Sequence, residues 1–442
     1  MKQLILMILL TAFGALGALF NGPFWGLAVY YLFAVLRPQY LWKWTLMLDI
    51  QWSLYVAIPT LIATALHAIG FYNDPEEPLR AKKFSAGYLA LLMFAGWIWI
   101  SFLNAYDQEE SHRVVIEYSK IFIMLGVAAF IIRQQWQIWT LFFIAAFSLI
   151  YIAYEVNYMY LVNGYLGIYH NGYGGLDNNG AGMMIAMAIP MCVFIWEGFR
   201  KPWRWFFAAM IPVLLHAVLM TYSRGAMVAV IVTAPLIFLR SRKKGMMTLA
   251  FVAVAIVLPF LAGPEIRERF FSIERYEEDN SAKSRLASWT AGLRIAQDYP
   301  IFGIGPRNAP LVMRRYGADV ANRVIHSQYI QIAADIGFVG LAWYLSMLAS
   351  AWLCLKRVRK RTRKVPSEDG RRLHALACGV ECSLAVFCTG ACFLAVEVFE
   401  LPYLLMILSI QLALTLETSG ATEESRAVEP LMTSTPVISP AR

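Results

Sequence analysis

Long uncharged runs recur from one end of this 442-residue chain to the other, and nothing constrains its fold more. A helical run of about 20 apolar residues crosses a hydrocarbon layer ~30 Å thick. No water is available there to backbone amides, so only helices and closed barrels can cross. Thirteen apolar runs, from 3–20 to 401–416, lack the period-two alternation of a barrel strand. With 59% hydrophobic and 15% charged residues, the chain is expected to be an all-α polytopic membrane protein with 12 or 13 transmembrane helices. The runs 3–20 and 23–36 are short for full spans, and the count turns on them. The first resembles a signal peptide after Lys2, but no soluble domain follows, so it reads as a retained span.

The net charge of +9 does not point to nucleic acid, because the basic residues sit in short blocks between apolar runs. Such blocks encode topology, since Lys and Arg accumulate on the cytoplasmic side. The densest runs from Lys356 to Lys364; others are Arg240–Lys244, Arg200–Arg204 and Arg80–Lys83. Placing these inside puts Asp107–Glu110, Glu397 and Glu400 outside, with segment 159–178 and the long loop 263–327. The organisation expected is 1–158 as N-terminal spans and 159–262 as spans with external turns. Then come 263–327 as a long external helical loop, 328–416 as C-terminal spans, and 417–442 as a disordered cytoplasmic tail rich in Ser, Thr, Pro and Glu. The six cysteines lie in or beside apolar runs and read as buried thiols, not as a disulfide or zinc framework.

Two residues stand out on the expected outer side. Arg224 follows Ser223 in a turn of a few residues and begins a helix running inward. A helix N-terminus exposes free N–H groups and the positive end of the dipole, which attract phosphate. A guanidinium there adds a bidentate clamp; the alternative is an interfacial arginine reaching for lipid headgroups. His326 stands at the head of helix 328–355, where the dipole disfavours imidazolium. A neutral imidazole can take a proton from a hydroxyl.

Within 263–327, Asp279-Asn280-Ser281 can cap a helix over about 282–297, with Leu286, Trp289, Leu293 and Ala296 on one face and Arg285 beside it. Phe302-Gly303-Ile304-Gly305-Pro306 is a tight turn, and the whole reads as a lid on the outer membrane surface. Asp177 and Asn178 precede a span and either cap it or contact a sugar. Arg307 is an accessory cation, with Arg267, Arg269, Arg314, Arg315 and Arg323 weaker still. Gly337 and Gly340 are expected to allow close helix packing. His67, His112, His170 and His374 suggest nothing specific, and His216 reads as packing. No carboxylate pair or ligand cluster for a divalent metal is evident in an external loop, and no Walker A pattern occurs.

Four motifs appear in order over about 170–345: Asp177-Asn178-Asn179-Gly180, Ser223-Arg224-Gly225-Ala226, Arg285…Trp289…Pro300-Ile301-Phe302-Gly303-Ile304-Gly305, and His326-Ser327 followed after nine residues by Gly337-x-x-Gly340. This set resembles the O-antigen ligase and polymerase superfamily. Arg37-Pro38-Gln39 and Leu401-Pro402-Tyr403 look like the O-glycosylation ligases associated with exosortase A. The resemblance implies a bacterial inner-membrane enzyme working at the periplasmic face. It implies inverting, metal-independent transfer of a glycan from undecaprenyl diphosphate to a lipid or protein acceptor, with no cofactor. Arg224 and Arg285 would bind the diphosphate and His326 would activate the acceptor hydroxyl. A polymerase differs only in its acceptor. A transporter is the rival of another class, since Asp49, Glu155 and Glu381 are ionisable groups in or beside apolar runs.

A single cysteine introduced into 263–327 of a cysteine-free chain is expected to react with an impermeant maleimide from outside the cell. One introduced into 356–364 should react only after permeabilisation; the opposite pattern would invert the topology.

Overall fold

The computed structural model describes residues 1–43, 45–46, 50–72, 85–261, 280–318, 324–363, 365–396 and 398–432, and the side chains among them except 257–261, 280–282 and 418–432. Asp49, Arg80, Lys82, Lys83, Arg267, Arg269, Asp279, Arg323, Lys364 and Glu397 lie outside the described residues.

Every apolar run falls on a helix. In chain order these are α1 (Lys2–Asn21), α2 (Pro23–Leu36), the short α3 (Pro38–Leu41), α4 (Trp52–Ala68), α5 (Ala86–Leu103), α6 (Gln108–Ile131) and α7 (Gln135–Asn163). There follow the short α8 (Gly167–Asn171), α9 (Asn178–Ala186), α10 (Ala188–Gly198), α11 (Arg204–Met220), α12 (Arg224–Arg240) and α13 (Lys244–Leu261). The chain continues with α14 (Asn280–Asp298), the short α15 (Ala309–Val312), α16 (Gln328–Thr362), α17 (Glu368–Gly390) and α18 (Glu400–Met432). The only β feature among the described residues is an isolated bridge between Tyr173 and Leu176. Among the described residues, eight helical stretches are long and apolar enough to cross a membrane, and the chain is a multi-pass α-helical membrane protein.

Burial separates the bundle's centre from its lipid-facing rim. The α9–α10 stretch, Asn178–Gly198, is 94% buried, whereas α1 is 17% buried and turns Ile5, Leu9, Phe13 and Leu16 outward. Helix α2 explains the ambiguous count at the N-terminus. Its 14 residues span only about 21 Å, yet nearly all are buried, so it is an interior helix held among α1, α4 and α7. Gly14, Gly17 and Gly26 let these helices approach: a Cβ on Gly14 would stand 2.8 Å from Val29 Cβ.

Three basic blocks meet at one end of the bundle. Glu381, wholly buried on α17, accepts from Arg240 at 2.7 and 3.0 Å and from Arg359 at 2.8 Å. Arg242 reaches the carbonyl of Arg363 at 3.1 Å, and Arg371 that of Gly198 at 3.2 Å. Glu381 is thus an internal counter-ion tying α12, α16 and α17 together. That explains its place in an apolar helix without a transport role.

At the opposite end, segment 299–318 docks on the α5–α6 turn. Tyr106 N–H donates to Ile304 O at 2.8 Å, Ser111 to Pro306 O at 2.7 Å and Asn308 to Asp107 O at 3.1 Å. The same segment enters a break in α16. Ile336 and Gly337 leave helical geometry (φ −126°, ψ 15° and φ 77°, ψ 174°), and the freed groups find partners. Ile304 N–H bonds Ala334 O at 3.0 Å, Gly305 N–H bonds Asp335 O at 2.8 Å, Trp97 Nε1 bonds Ile336 O at 2.9 Å, and Phe338 N–H bonds Pro300 O at 2.8 Å. The buried Asp335 carboxylate caps Ala309 N–H at 2.9 Å and accepts from Gln331 at 2.6 Å.

This corrects the reading of Gly337. It does not serve helix packing; it breaks the helix where Ile301 O leaves no room for a Cβ. Gly340 keeps the expected packing role: a Cβ there would stand 3.0 Å from Trp97 Cδ1. The lid helix α14 is also rotated from its expected face. Ser288, Ala291, Ile295 and Ala296 are buried, while Leu286 and Leu293 are exposed. The reason is close approach: a Cβ on Gly292 would lie 2.6 Å from Ile325 Cδ1, so small residues, not leucines, face the docking surface. α18 continues through 417–432, where a disordered tail is expected; Ala421, Glu423, Glu424 and Ala427 favour helix there. Cys192, Cys354, Cys378 and Cys382 are buried thiols, but Cys392 is exposed.

Gly337→Ala is expected to cost at least about 1–3 kcal/mol from its glycine-only backbone region alone, with the clash at Ile301 added. Gly340→Ala meets the movable Ile336 side chain at 2.5 Å and should cost less. Thermal unfolding of the two variants in detergent ranks them, and equal stability would refute the latch.

Candidate active site

The turn between α11 and α12 is built from below by α9. Asp177 caps α9, its carboxylate accepting from Gly180 N–H at 2.8 Å, so capping is its role here. Asn178 Nδ2 donates to Thr221 O at 2.9 Å, and Ser223 Oγ donates to Asn179 Oδ1 at 3.1 Å. Gly182 makes the approach possible, since a Cβ there would meet Thr221 Oγ1 at 2.6 Å. Tyr222 turns the chain with φ 53°, and Ser223 caps α12 by accepting from Ala226 N–H at 3.2 Å. Arg224 is therefore the first residue of α12, as its sequence position suggests.

Arg285 arrives from the other side on α14. That helix sits on a second hydrophobic core made by Ala291, Ile295, Ile304, Ala309, Val312, Met313, Ile325 and Ala334, apart from the core of the bundle. One turn after Arg285, Trp289 Nε1 donates to His326 O at 3.0 Å, and the Trp289 ring lies 6.4 Å from Phe393. Phe393 packs against Gly225, next to Arg224; a Cβ on Gly225 would be 3.3 Å from Phe393 Cβ.

Arg224, Arg285 and Asn178 line one cavity of about 350 Å³ with Asn179, Tyr169, His170 and Tyr222. Its described lining holds two guanidinium groups and no carboxylate, beside the N-terminus of α12. Such a cavity favours an anion by field and by directed N–H donors. Half-buried His326 is not among the lining residues; it precedes Ser327, the N-cap of α16, and is joined to the Arg285 helix through Trp289. Arg307 stands away from this cavity, in the 299–318 turn with φ 64°.

Residues 213–345 match the O-antigen ligase family. This matched region, 133 of the 442 residues, is similar to the O-antigen ligase and polymerase superfamily. The matched stretch contains Arg224, Arg285, His326, Gly337 of the α16 break and Gly340, and ends before the 391–400 connection that also borders the site. A comparison with curated proteins found no match.

The motif residues are only part of this cavity. Tyr169 and His170 enter it from α8 and were invisible as site residues in the sequence. The Tyr169 ring lies 5.1 Å from that of Tyr222, tilted by 47°; Tyr222 is a neighbour of Arg224, so adjacency was the one available signal for it. Among the described residues no group of three His, Cys, Asp or Glu side chains is arranged to hold a metal ion.

Proposed function

We propose that this protein transfers a glycan from undecaprenyl diphosphate to an acceptor hydroxyl at the periplasmic face of the bacterial inner membrane. The observation that carries the reading is the convergence of Arg224 and Arg285, from separate segments, on one polar cavity at a helix N-terminus. A glycosyl diphosphate donor needs its departing negative charge stabilised where it develops. Two arginines supply bidentate donors for the phosphates, and the α12 terminus adds its dipole.

His326 takes the proton of the acceptor hydroxyl. The acceptor oxygen forms its bond to the anomeric carbon as the bond from that carbon to the phosphate oxygen breaks. The bonding electron pair leaves with the diphosphate. Attack from the face opposite the leaving group inverts the anomeric centre. His326's place outside the arginine cavity suits this division, with the base on the acceptor side and the cations on the leaving-group side. Trp289 and the N-cap Ser327 position the histidine backbone. The outer placement follows the basic blocks gathered at the other end of the bundle.

The test uses purified protein, a polyprenyl diphosphate glycan and lipid or protein acceptors. A general base contributes about 10²–10⁴-fold in rate, so His326→Ala should lower transfer by that factor in a folded protein. Unchanged transfer would overturn the assignment. Arg224→Ala should weaken donor use while leaving membrane insertion intact; a matching fall in protein level would make the arginine structural. Products that grow as a ladder from single repeats would make the acceptor a second carrier-linked glycan, as in a polymerase.

A further inference from the structure

A second cavity of about 470 Å³ opens between α4 and α6, at the same end of the bundle. It is anchored there by Arg37, whose guanidinium bonds Gly174 O and Val398 O. Its polar lining differs in kind from the arginine cavity. Arg37 and Lys120 are accompanied by Glu117 and Glu400, with Gln39 and Gln51 as amides and the aromatic Tyr30, Phe33 and Tyr40 alongside. Two cations offset by two carboxyl groups give a phosphate little net attraction. Carboxyl and amide groups that exchange hydrogen bonds, beside aromatic faces, suit a neutral polyhydroxylated ligand instead.

The location adds a lipid. Glu117 and Lys120 pair at 2.6 Å on α6, yet their side chains are 54% and 38% exposed in a helix that crosses the membrane. Bare charges facing hydrocarbon are costly, so such groups mark a water-filled or ligand-filled cleft. The rim is apolar: Leu54 and Leu61 on α4 and Ile123 on α6 line the cavity and are exposed. An alkyl chain can lie on that rim while a sugar head reaches the charges.

A neighbouring cavity lies between the cleft and the wall of the arginine cavity. This third cavity, of about 310 Å³, shares Tyr40 with the cleft and is walled by Tyr165–Tyr173. Tyr169 and His170, on that same wall segment, line the arginine cavity. Tyr40 thus borders the cleft and the third cavity, and segment 165–173 borders the third cavity and the arginine cavity.

We propose that the α4–α6 cleft binds the sugar head of a membrane glycolipid entering sideways from the bilayer, and that this glycolipid is the acceptor. The acceptor role rests on the glycan-transfer reading above; the binding does not.

The experiment labels the full chain in nanodiscs with dodecyl maltoside carrying a diazirine on its alkyl chain, followed by peptide mapping. Label should concentrate on 51–61 and 117–124, yield to excess dodecyl maltoside, and resist the same excess of dodecylphosphocholine. The double variant Glu117→Gln/Lys120→Gln should lower this labelling at least tenfold with label elsewhere unchanged. Ser53→Phe, which fills the cleft without touching its charges, should do the same. An even belt of label, or equal displacement by the phosphocholine, would overturn the site as ordinary lipid-facing surface. This readout needs no turnover, so it stands or falls apart from His326. In transfer assays the double variant should raise the KM for a glycolipid acceptor at least tenfold and leave the donor KM unchanged. An unchanged acceptor KM would overturn the acceptor role.

Discussion

The half of this protein opposite the clustered basic residues depends on a helix that stops and restarts. Between Asp335 and Phe338, α16 gives up its own hydrogen bonds, and the 299–306 turn supplies replacements from Ile304, Gly305 and Pro300. Buried backbone groups must be paired, so the break and the turn stabilise each other and neither makes sense alone. Gly303 and Gly337 face each other across this joint, each where a Cβ would strike backbone. The spacing from His326 to Gly337 then has a structural meaning. It is the length of one short helix whose far end is the latch and whose near end carries the histidine.

The latch gives the 280–318 module a rigid base. With Asp335 holding Ala309 and a small core of its own, the module is more than a loop lying on the membrane. Its helix α14 carries Arg285 and, one turn on, the indole that holds the His326 carbonyl. The opposing wall has its own determinants, the asparagines of α9 that brace the Thr221–Ser223 turn under Arg224. The candidate chemistry thus sits between two independently braced walls.

Much of this was legible in the chain. Apolar runs located the helices because hydropathy acts locally and lipid imposes a length. The short turn between two apolar runs placed Arg224 at a helix start, because the run lengths bound where each helix can begin. The face of α14 was not legible. Leu286 and Leu293 looked like its packing stripe, but the docking surface at Ile325 admits only small side chains. The partners of Glu381 were not legible either, since Arg240 and Arg359 come from two different basic blocks.

The sequence alone determined that this chain is a bundle of membrane helices with basic connections on one side and a motif-bearing segment on the other. Those properties follow from nearest-neighbour chemistry and from the thickness of a bilayer. The tertiary structure alone decided that Arg224 and Arg285 share a cavity with Tyr169 and His170, that His326 stands beside it behind Trp289, and that Arg37, just after α2, meets charged residues of α6 and α18 in a separate cleft. No local rule reports which distant segments converge, because that choice is made by the packing of whole helices against one another.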